Sequence, residues 1–232
     1  MRRRKNTTSG RRSGAALAVA GAATLALALT ACGGDGAGGG GTEHGSVSDA
    51  SGARHKKGGT VLDQPFDKPD LRLTDAHGEK YDLRDETKGK PTLLYFGYTH
   101  CPDICPLTMS NIAVAKARLP KDEQRKLRVV FVTTDPKRDT PKQLRTWLRS
   151  QDPSFAGLTG DFKKIQAGAR SVGVSILPSR KKKNGDIVST HGSQLLAFSP
   201  KDDKAHVVYT EGNTKPGILR RELPKIIEGG NP

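Results

Sequence analysis

The sequence predicts an α/β sandwich forming one domain over residues 60–228, and three patterns in it predict this. Residues 92–97 and the Val129–Val132 centre of residues 128–134 are continuous apolar runs, as strands buried on both faces require. The first is followed by a segment whose apolar residues recur at three- and four-residue steps, the period of a helix, and the second by a helix-start signal. Two further pairs of short strand-like segments are split by polar turn clusters, so a hairpin sits on either side of this alternation.

In chain order, residues 71–75 and 80–83 flank Ala76-His77-Gly78-Glu79 and read as an N-terminal hairpin. Residues 92–97 form the first buried strand. Residues 106–119 follow as a helix, with Met109, Ile112, Ala113 and Ala117 on one face. Residues 128–134 are the second buried strand. Thr140-Pro141 then pairs a capping hydroxyl with a proline at the first helical position, and residues 143–149 continue that helix. Asp161 caps a third helix over residues 161–172. Residues 194–199 and 207–210, joined by Pro200-Lys201-Asp202-Asp203-Lys204, make the second hairpin, and residues 216–227 close the domain as a helix. Strand, helix, strand, helix, then hairpin and helix is the layout of a thioredoxin-like sandwich.

The +15 charge of the 232-residue chain is concentrated at its start. Arg2, Arg3, Arg4, Lys5, Arg11 and Arg12 precede an uncharged Ala- and Leu-rich run over residues 13–31, which ends Leu29-Thr30-Ala31-Cys32. A basic segment, an apolar segment and small residues in that order are an export signal. Its ending resembles a bacterial lipobox, in which Cys32 is lipidated and becomes the first mature residue. A membrane-spanning anchor is the alternative, since the run is just long enough to cross a bilayer. Arg11-Arg12 hints at a twin-arginine route. Either way the remainder is expected outside the cytoplasm, on the extracytoplasmic side of the cell membrane. Without those six cations the chain is still basic at +9, which suits a protein held near anionic head groups. Eleven of the 27 residues from 33 to 59 are Gly, too few of the rest being apolar to offset ordering entropy. Residues 32–59 are therefore expected to be a lipidated Cys with a flexible tether reaching roughly 30 Å, and His44 and His55 to be solvated within it. Residues 229–232 form a short tail.

Composition also excludes. Three Cys and two Met rule out a disulfide-dense mini-protein and a Met-rich metal carrier. Few aromatics, with one Trp, argue against nucleic-acid binding by base stacking.

The chemistry lies in Cys101-Pro102-Asp103-Ile104-Cys105-Pro106, immediately after the first buried strand, where α/β sheets collect functional groups. Pro106 suits a first helical position, which makes Cys105 the expected cap, with thiolate favoured there by the helix dipole. Helical spacing of four leaves Cβ atoms ~5–6 Å apart, whereas a disulfide needs ~3.8 Å. The spacing leans towards a metal bridged by two thiolates, with a Cys101–Cys105 disulfide requiring local rearrangement. Without a third Cys in the domain, an iron–sulfur cluster or four-thiolate zinc site is excluded, and two thiolates with one imidazole suit copper in either oxidation state. Of the imidazoles, His77 sits at a hairpin tip, His100 adjoins Cys101, and His206 opens a strand. His191 lies on the loop entering the second hairpin, which the topology can bring over the cysteines.

The segment from Phe96 to Pro106, with Gly97-Tyr98-Thr99-His100 leading into the two cysteines, resembles the signature of the Sco/SenC family. Thr133-Thr134-Asp135-Pro136-Lys137-Arg138-Asp139-Thr140-Pro141 is similar to that family's second motif, and Thr159-Gly160-Asp161 with Gly173-Val174 to a third. These are membrane-tethered copper proteins that assist assembly of cytochrome c oxidase. The resemblance implies that Cys101, Cys105 and His191 bind copper as Cu(I) or Cu(II). It also implies that the cargo goes to the binuclear copper centre of the oxidase's copper-binding subunit, with a copper donor protein as a further partner. One departure stands out: Thr190 occupies the position before the histidine where the family usually has Asp, a carboxylate of the kind that orients a metal-bound imidazole.

A binding and transfer module is thus expected, not a turnover enzyme. The alternative is a thiol–disulfide oxidoreductase using Cys101 and Cys105 as its redox pair. A peroxide-reducing enzyme is disfavoured, because Tyr98-Thr99-His100-Cys101 lacks the Thr-x-x-Cys spacing. Asp135, Arg138 and Asp139 read as a loop locked by a charge pair and a helix cap. Arg180-Lys181-Lys182-Lys183 before Asn184-Gly185 reads as a solvated basic hairpin tip, with docking onto an acidic partner or lipid as the sharper alternative.

Overall fold

The backbone of β4 (Thr92–Gly97) and β5 (Arg128–Thr133) alternates its side chains between two cores, and that alternation builds the domain. Leu93, Tyr95, Val129 and Phe131 point to one face, against Met109, Ile112, Leu144, Leu219 and Leu223. Leu94, Phe96, Val130 and Val132 point to the other, against Leu71, Leu83, Ile165 and Ala169. Because both faces are covered, every residue of β4 is buried, which is why its sequence shows no polar alternation.

The computed structural model describes residues 58–185 and 187–232. The export signal, Cys32 and the tether up to residue 57, with His44 and His55, lie outside the described residues. A mixed eight-stranded sheet runs in the order β1-β10-β9-β4-β5-β6-β2-β3. Its remaining strands are β1 (Thr60–Asp67), β2 (Arg72–Asp75), β3 (Lys80–Asp82), β6 (Ala156–Thr159), β9 (Leu195–Phe198) and β10 (Lys204–Tyr209). β4, β5 and β6 are parallel, while β9 joins β4 antiparallel. α2 (Ile104–Ala117), α4 (Pro141–Arg149) and α6 (Pro216–Ile227) cover the first face. α1 (Leu83–Glu86) and α5 (Phe162–Ser171) cover the second. α3 (Lys121–Lys126) precedes β5, and β7 (Arg180–Lys181) pairs with β8 (Ile187–Val188) as a separate small hairpin. Among the described residues, no helix is long and apolar enough to cross a membrane.

Both expected hairpins form, but the first is not the domain's opening element: β1 precedes it and pairs with β10 at the opposite edge of the sheet. The last two residues assigned to the tether also belong to the fold. The Gly59 amide donates to Glu222 Oε2 at 3.0 Å, a carboxylate buried on α6. β6 has a glycine because helix α4 presses on it: a Cβ at Gly157 would lie 2.4 Å from Leu148 Cδ1. Helix caps follow the sequence closely, with Thr140 Oγ1 accepting from the Gln143 amide and Asp161 Oδ1 from the Lys164 amide.

Phe131 links these layers through its ring, 4.9 Å from Trp147 of α4 and 6.2 Å from Tyr95 of β4. Its replacement by Ala leaves a cavity between α4 and the strand that leads to the cysteines. Phe131→Ala is expected to lower unfolding free energy by about 3–5 kcal/mol, read from urea denaturation; a loss below 1 kcal/mol would contradict its placement.

Candidate metal centre

The chain leaves β4 at Gly97 and enters α2 at Ile104, so the two cysteines lie at the carboxyl edge of the parallel strands. α2 begins two residues earlier than its sequence suggests. Asp103 occupies the cap position without a side-chain cap bond, and Cys105 sits inside the first turn. The expectation that Cys105 caps the helix and carries the thiolate is therefore corrected. The two thiols influence each other electrostatically, and the influence shifts them in opposite senses. Cys101 is favoured as thiolate by the Cys105 thiol and by the backbone amides of Asp103 and Cys105, with His191 adding a favourable charge. Together these outweigh its partial burial and hold Cys101 down at about 5. The helix's amino end thus stabilises the sulfur lying just ahead of it. Cys105, fully buried, is pushed up by the neighbouring Cys101 and by desolvation.

A wall of aromatic side chains surrounds Cys105. The Tyr95 hydroxyl is 3.8 Å from Cys105 Sγ. A Cβ at Gly97 would lie 2.8 Å from the same sulfur and 2.9 Å from Tyr95 Cε1, so glycine leaves the room the thiol occupies. Tyr98 covers the other side and interacts with Cys101; burial, then the Cys101 charge, push its hydroxyl up to about 12.

Two buried carboxylates from the loop after β5 fix the surrounding segments. Asp139 is fully buried, and accepts from the Thr99 amide at 2.9 Å, Thr99 Oγ1 at 2.6 Å and Thr133 Oγ1 at 2.6 Å. The His100 ring lies against the same group, Nδ1 being 3.4 Å from Asp139 Oδ1 and 3.1 Å from Thr99 Oγ1. Asp135, also buried, pairs with Arg138 and accepts from Ser189 Oγ at 2.9 Å. Arg138 Nη2 reaches the Ile187 carbonyl at 3.5 Å. One loop thereby holds the thiol segment through Asp139 and the histidine-bearing segment through Asp135 and Arg138.

His191 is brought beside the thiols but not into a ligating set with them. Its ring centroid stands 6.0 Å from that of Tyr98, and Nδ1 is 3.3 Å from the Gly192 carbonyl. Among the described residues, no group of three His, Cys, Asp or Glu side chains stands close enough to hold a metal ion. The expected trio of Cys101, Cys105 and His191 is therefore not gathered into one ligating group among the described residues, and the imidazole packs near the Tyr98 ring instead. Thr190 does not orient that imidazole either. Its hydroxyl is engaged with the backbone of Leu177, accepting from the amide and donating to the carbonyl at 3.0 Å, so it closes the loop instead. The other histidines are elsewhere: His77 is exposed at the β2–β3 turn, and His206 Nε2 is 2.8 Å from Asp202. Thr99 and Thr133 are not singled out by the sequence as site residues, since isolated hydroxyls beside a strand end carry no periodic signal.

The SCO1/SenC family model matches residues 60–228. The chain belongs to the SCO1/SenC family. Protein SCO2 of Saccharomyces cerevisiae mitochondria is 31% identical over 149 residues, covering 64% of this chain and 48% of the yeast protein, about half its length. Apo Sco1 of Thermus thermophilus overlays with a TM-score of 0.63 at 29% identity, covering 75% of this chain and 98% of that one. ScoI of Bradyrhizobium japonicum, solved with copper bound, overlays at 0.58 with 29% identity, covering 70% and 98%. These SCO1/SenC structures share the thioredoxin-like arrangement of mixed sheet and flanking helices that the β4–α2–β5 core builds here.

Two predictions arise from these contacts. Alkylation of Cys101 by iodoacetamide, followed by peptide mass spectrometry, should keep a constant rate from pH 8 to about pH 6 and fall through pH 5, where the thiolate is protonated. A rate that climbs steeply through the ordinary thiol range near pH 8.5 would contradict the assignment. Asp139→Asn places an amide donor against donors, and unfolding free energy should drop by roughly 1–3 kcal/mol; unchanged stability would show that Asp139 does not pin the loop.

Proposed function

We propose that this SCO1/SenC protein is a copper carrier, tethered to the outer face of the cell membrane through Cys32. In this reading it takes up copper on Cys101, Cys105 and His191 and passes it to the binuclear copper centre of cytochrome c oxidase during assembly. The observation that carries the reading is the placement of two free, buried cysteines at the carboxyl edge of the parallel strands, with the His191 ring 6.0 Å from the Tyr98 ring of the same loop. A soft dithiolate selects Cu(I), and an added imidazole extends the set to Cu(II). Bradyrhizobium ScoI, solved with copper bound, is a relative on the same fold. Because Cys101 is already ionised at neutral pH, uptake displaces one proton, that of Cys105. His191 completes the set when the 177–192 segment brings its ring to the sulfurs.

The unequal thiols also favour a second reading, a thiol–disulfide reductant. The Cys101 thiolate attacks a partner disulfide, releasing one partner sulfur as thiolate. Cys105 then loses its proton and attacks Cys101, leaving an intramolecular disulfide and a reduced partner.

Copper titration of the reduced protein separates the readings. Wild type should bind one Cu(I), with affinity falling about tenfold per pH unit from pH 8 to 6, the slope of a single displaced proton. Cys101→Ser should abolish that binding. His191→Ala should lose Cu(II) binding while its thiols still reduce a model disulfide at the wild-type rate. Full Cu(II) binding by His191→Ala would leave only the reductant reading.

A further inference from the structure

The small hairpin β7–β8 interrupts the approach to His191 and carries a charge run that neither fold nor site uses. Arg180, Lys181, Lys182 and Lys183 are all exposed, and among the described residues none of them forms an ion pair. Arg180 and Lys181 form β7 and Lys182 and Lys183 continue from it, so four adjacent cations stand against one acidic residue, Asp186, in the 180–188 sequence. Lys137, exposed on the loop after β5, adds a fifth positive charge. The hairpin is nevertheless held to the site: Arg138 reaches the Ile187 carbonyl, Ser189 bonds to Asp135, and Ser179 and Ser189 share a hydrogen bond of 2.7 Å.

Large apolar side chains are exposed at the same edge. Leu177, just before the hairpin, and Ile187, on β8, are 58% and 43% exposed, and Leu107, two residues after Cys105, is 55% exposed. Of the five large hydrophobics exposed among the described residues, three therefore belong to the thiol helix's first turns or to the histidine-bearing segment. Apolar centres with a charged rim are the composition of a protein docking face. Asp103 is the exposed carboxylate on the thiol loop, and it is outnumbered by the cations.

We propose that the β7–β8 hairpin, with Leu177, Ile187 and Leu107, is the docking face for a copper-exchange partner whose own site is ringed by carboxylates. This rests on the copper-carrier reading and adds the chemistry of the partner. Long-range attraction from the cations would speed encounter, and the apolar side chains would hold the two sites together. A protein fits better than a lipid surface, because a membrane pressed on this edge would cover Cys101 and Leu107 and close the thiols to exchange.

The test measures association of the reduced, copper-free full chain with the purified soluble domain of the oxidase subunit holding the binuclear copper centre. The association rate should fall about tenfold from low salt to ~0.3 M salt. Replacing Arg180, Lys181, Lys182 and Lys183 together by Ser should lower the low-salt rate to the high-salt value and flatten the salt dependence. Leu177→Ser with Ile187→Ser should speed dissociation and leave the salt slope intact. Wild-type rates and slope in the four-Ser variant would overturn the inference. So would an effect of the four cations confined to co-sedimentation with phosphatidylglycerol vesicles. Because no copper is present, these outcomes are independent of the titrations above, which decide the carrier reading separately.

Discussion

Asp139 has no solvent exposure, and three hydrogen bonds from Thr99 and Thr133 converge on its two oxygens with the His100 ring alongside. A carboxylate in that position would be strongly unfavourable without those donors. With them, it holds Thr99, between the end of β4 and the start of α2. The orientation of Cys101 ahead of the helix follows from that hold, as does the pointing of the Asp103 and Cys105 amides at its sulfur. Asp139 thus anchors the segment that leads into the first cysteine through Thr99, the residue two places before it.

The same loop divides its work between two segments of different stiffness. Asp139 faces the thiol loop, which is packed against Tyr95, Gly97 and Phe131 and has little freedom. Asp135 and Arg138 face the 177–191 excursion, which is attached by hydroxyl bonds and one carbonyl contact and contributes few residues to either core. The two cysteines sit against a fully buried core, whereas the imidazole is on a segment joined to the loop by few bonds. A preformed three-ligand cage would bind more tightly and release more slowly.

Much of the fold is legible in the sequence because its signals are local. The apolar runs of β4 and β5, the caps at Thr140 and Asp161, and the two turn clusters each mark their elements. β1 and β6 are not legible in the same way. Thr60–Asp67 contains Pro65 and acidic residues, and its pairing with β10 shifts register between Val61 and Phe66. Ala156–Thr159 is short and contains a glycine that only the packing of Leu148 explains. At the site, the cysteines and His191 stand out by residue type, but which sulfur is ionised does not. That depends on α2 starting at Ile104, a boundary that Pro106 disguises by suiting an earlier helical position. The anchoring of Thr190 to Leu177 is equally invisible, since it links residues thirteen apart across a turn.

The proposed function requires two sulfurs and the imidazole of His191 to close on one ion once copper arrives. X-ray absorption at the copper edge of the Cu(II)-loaded protein measures this directly. Two sulfur scatterers and one imidazole are predicted in wild type, with the imidazole signature gone and the sulfurs retained in His191→Ala. Identical spectra from the two proteins would contradict it.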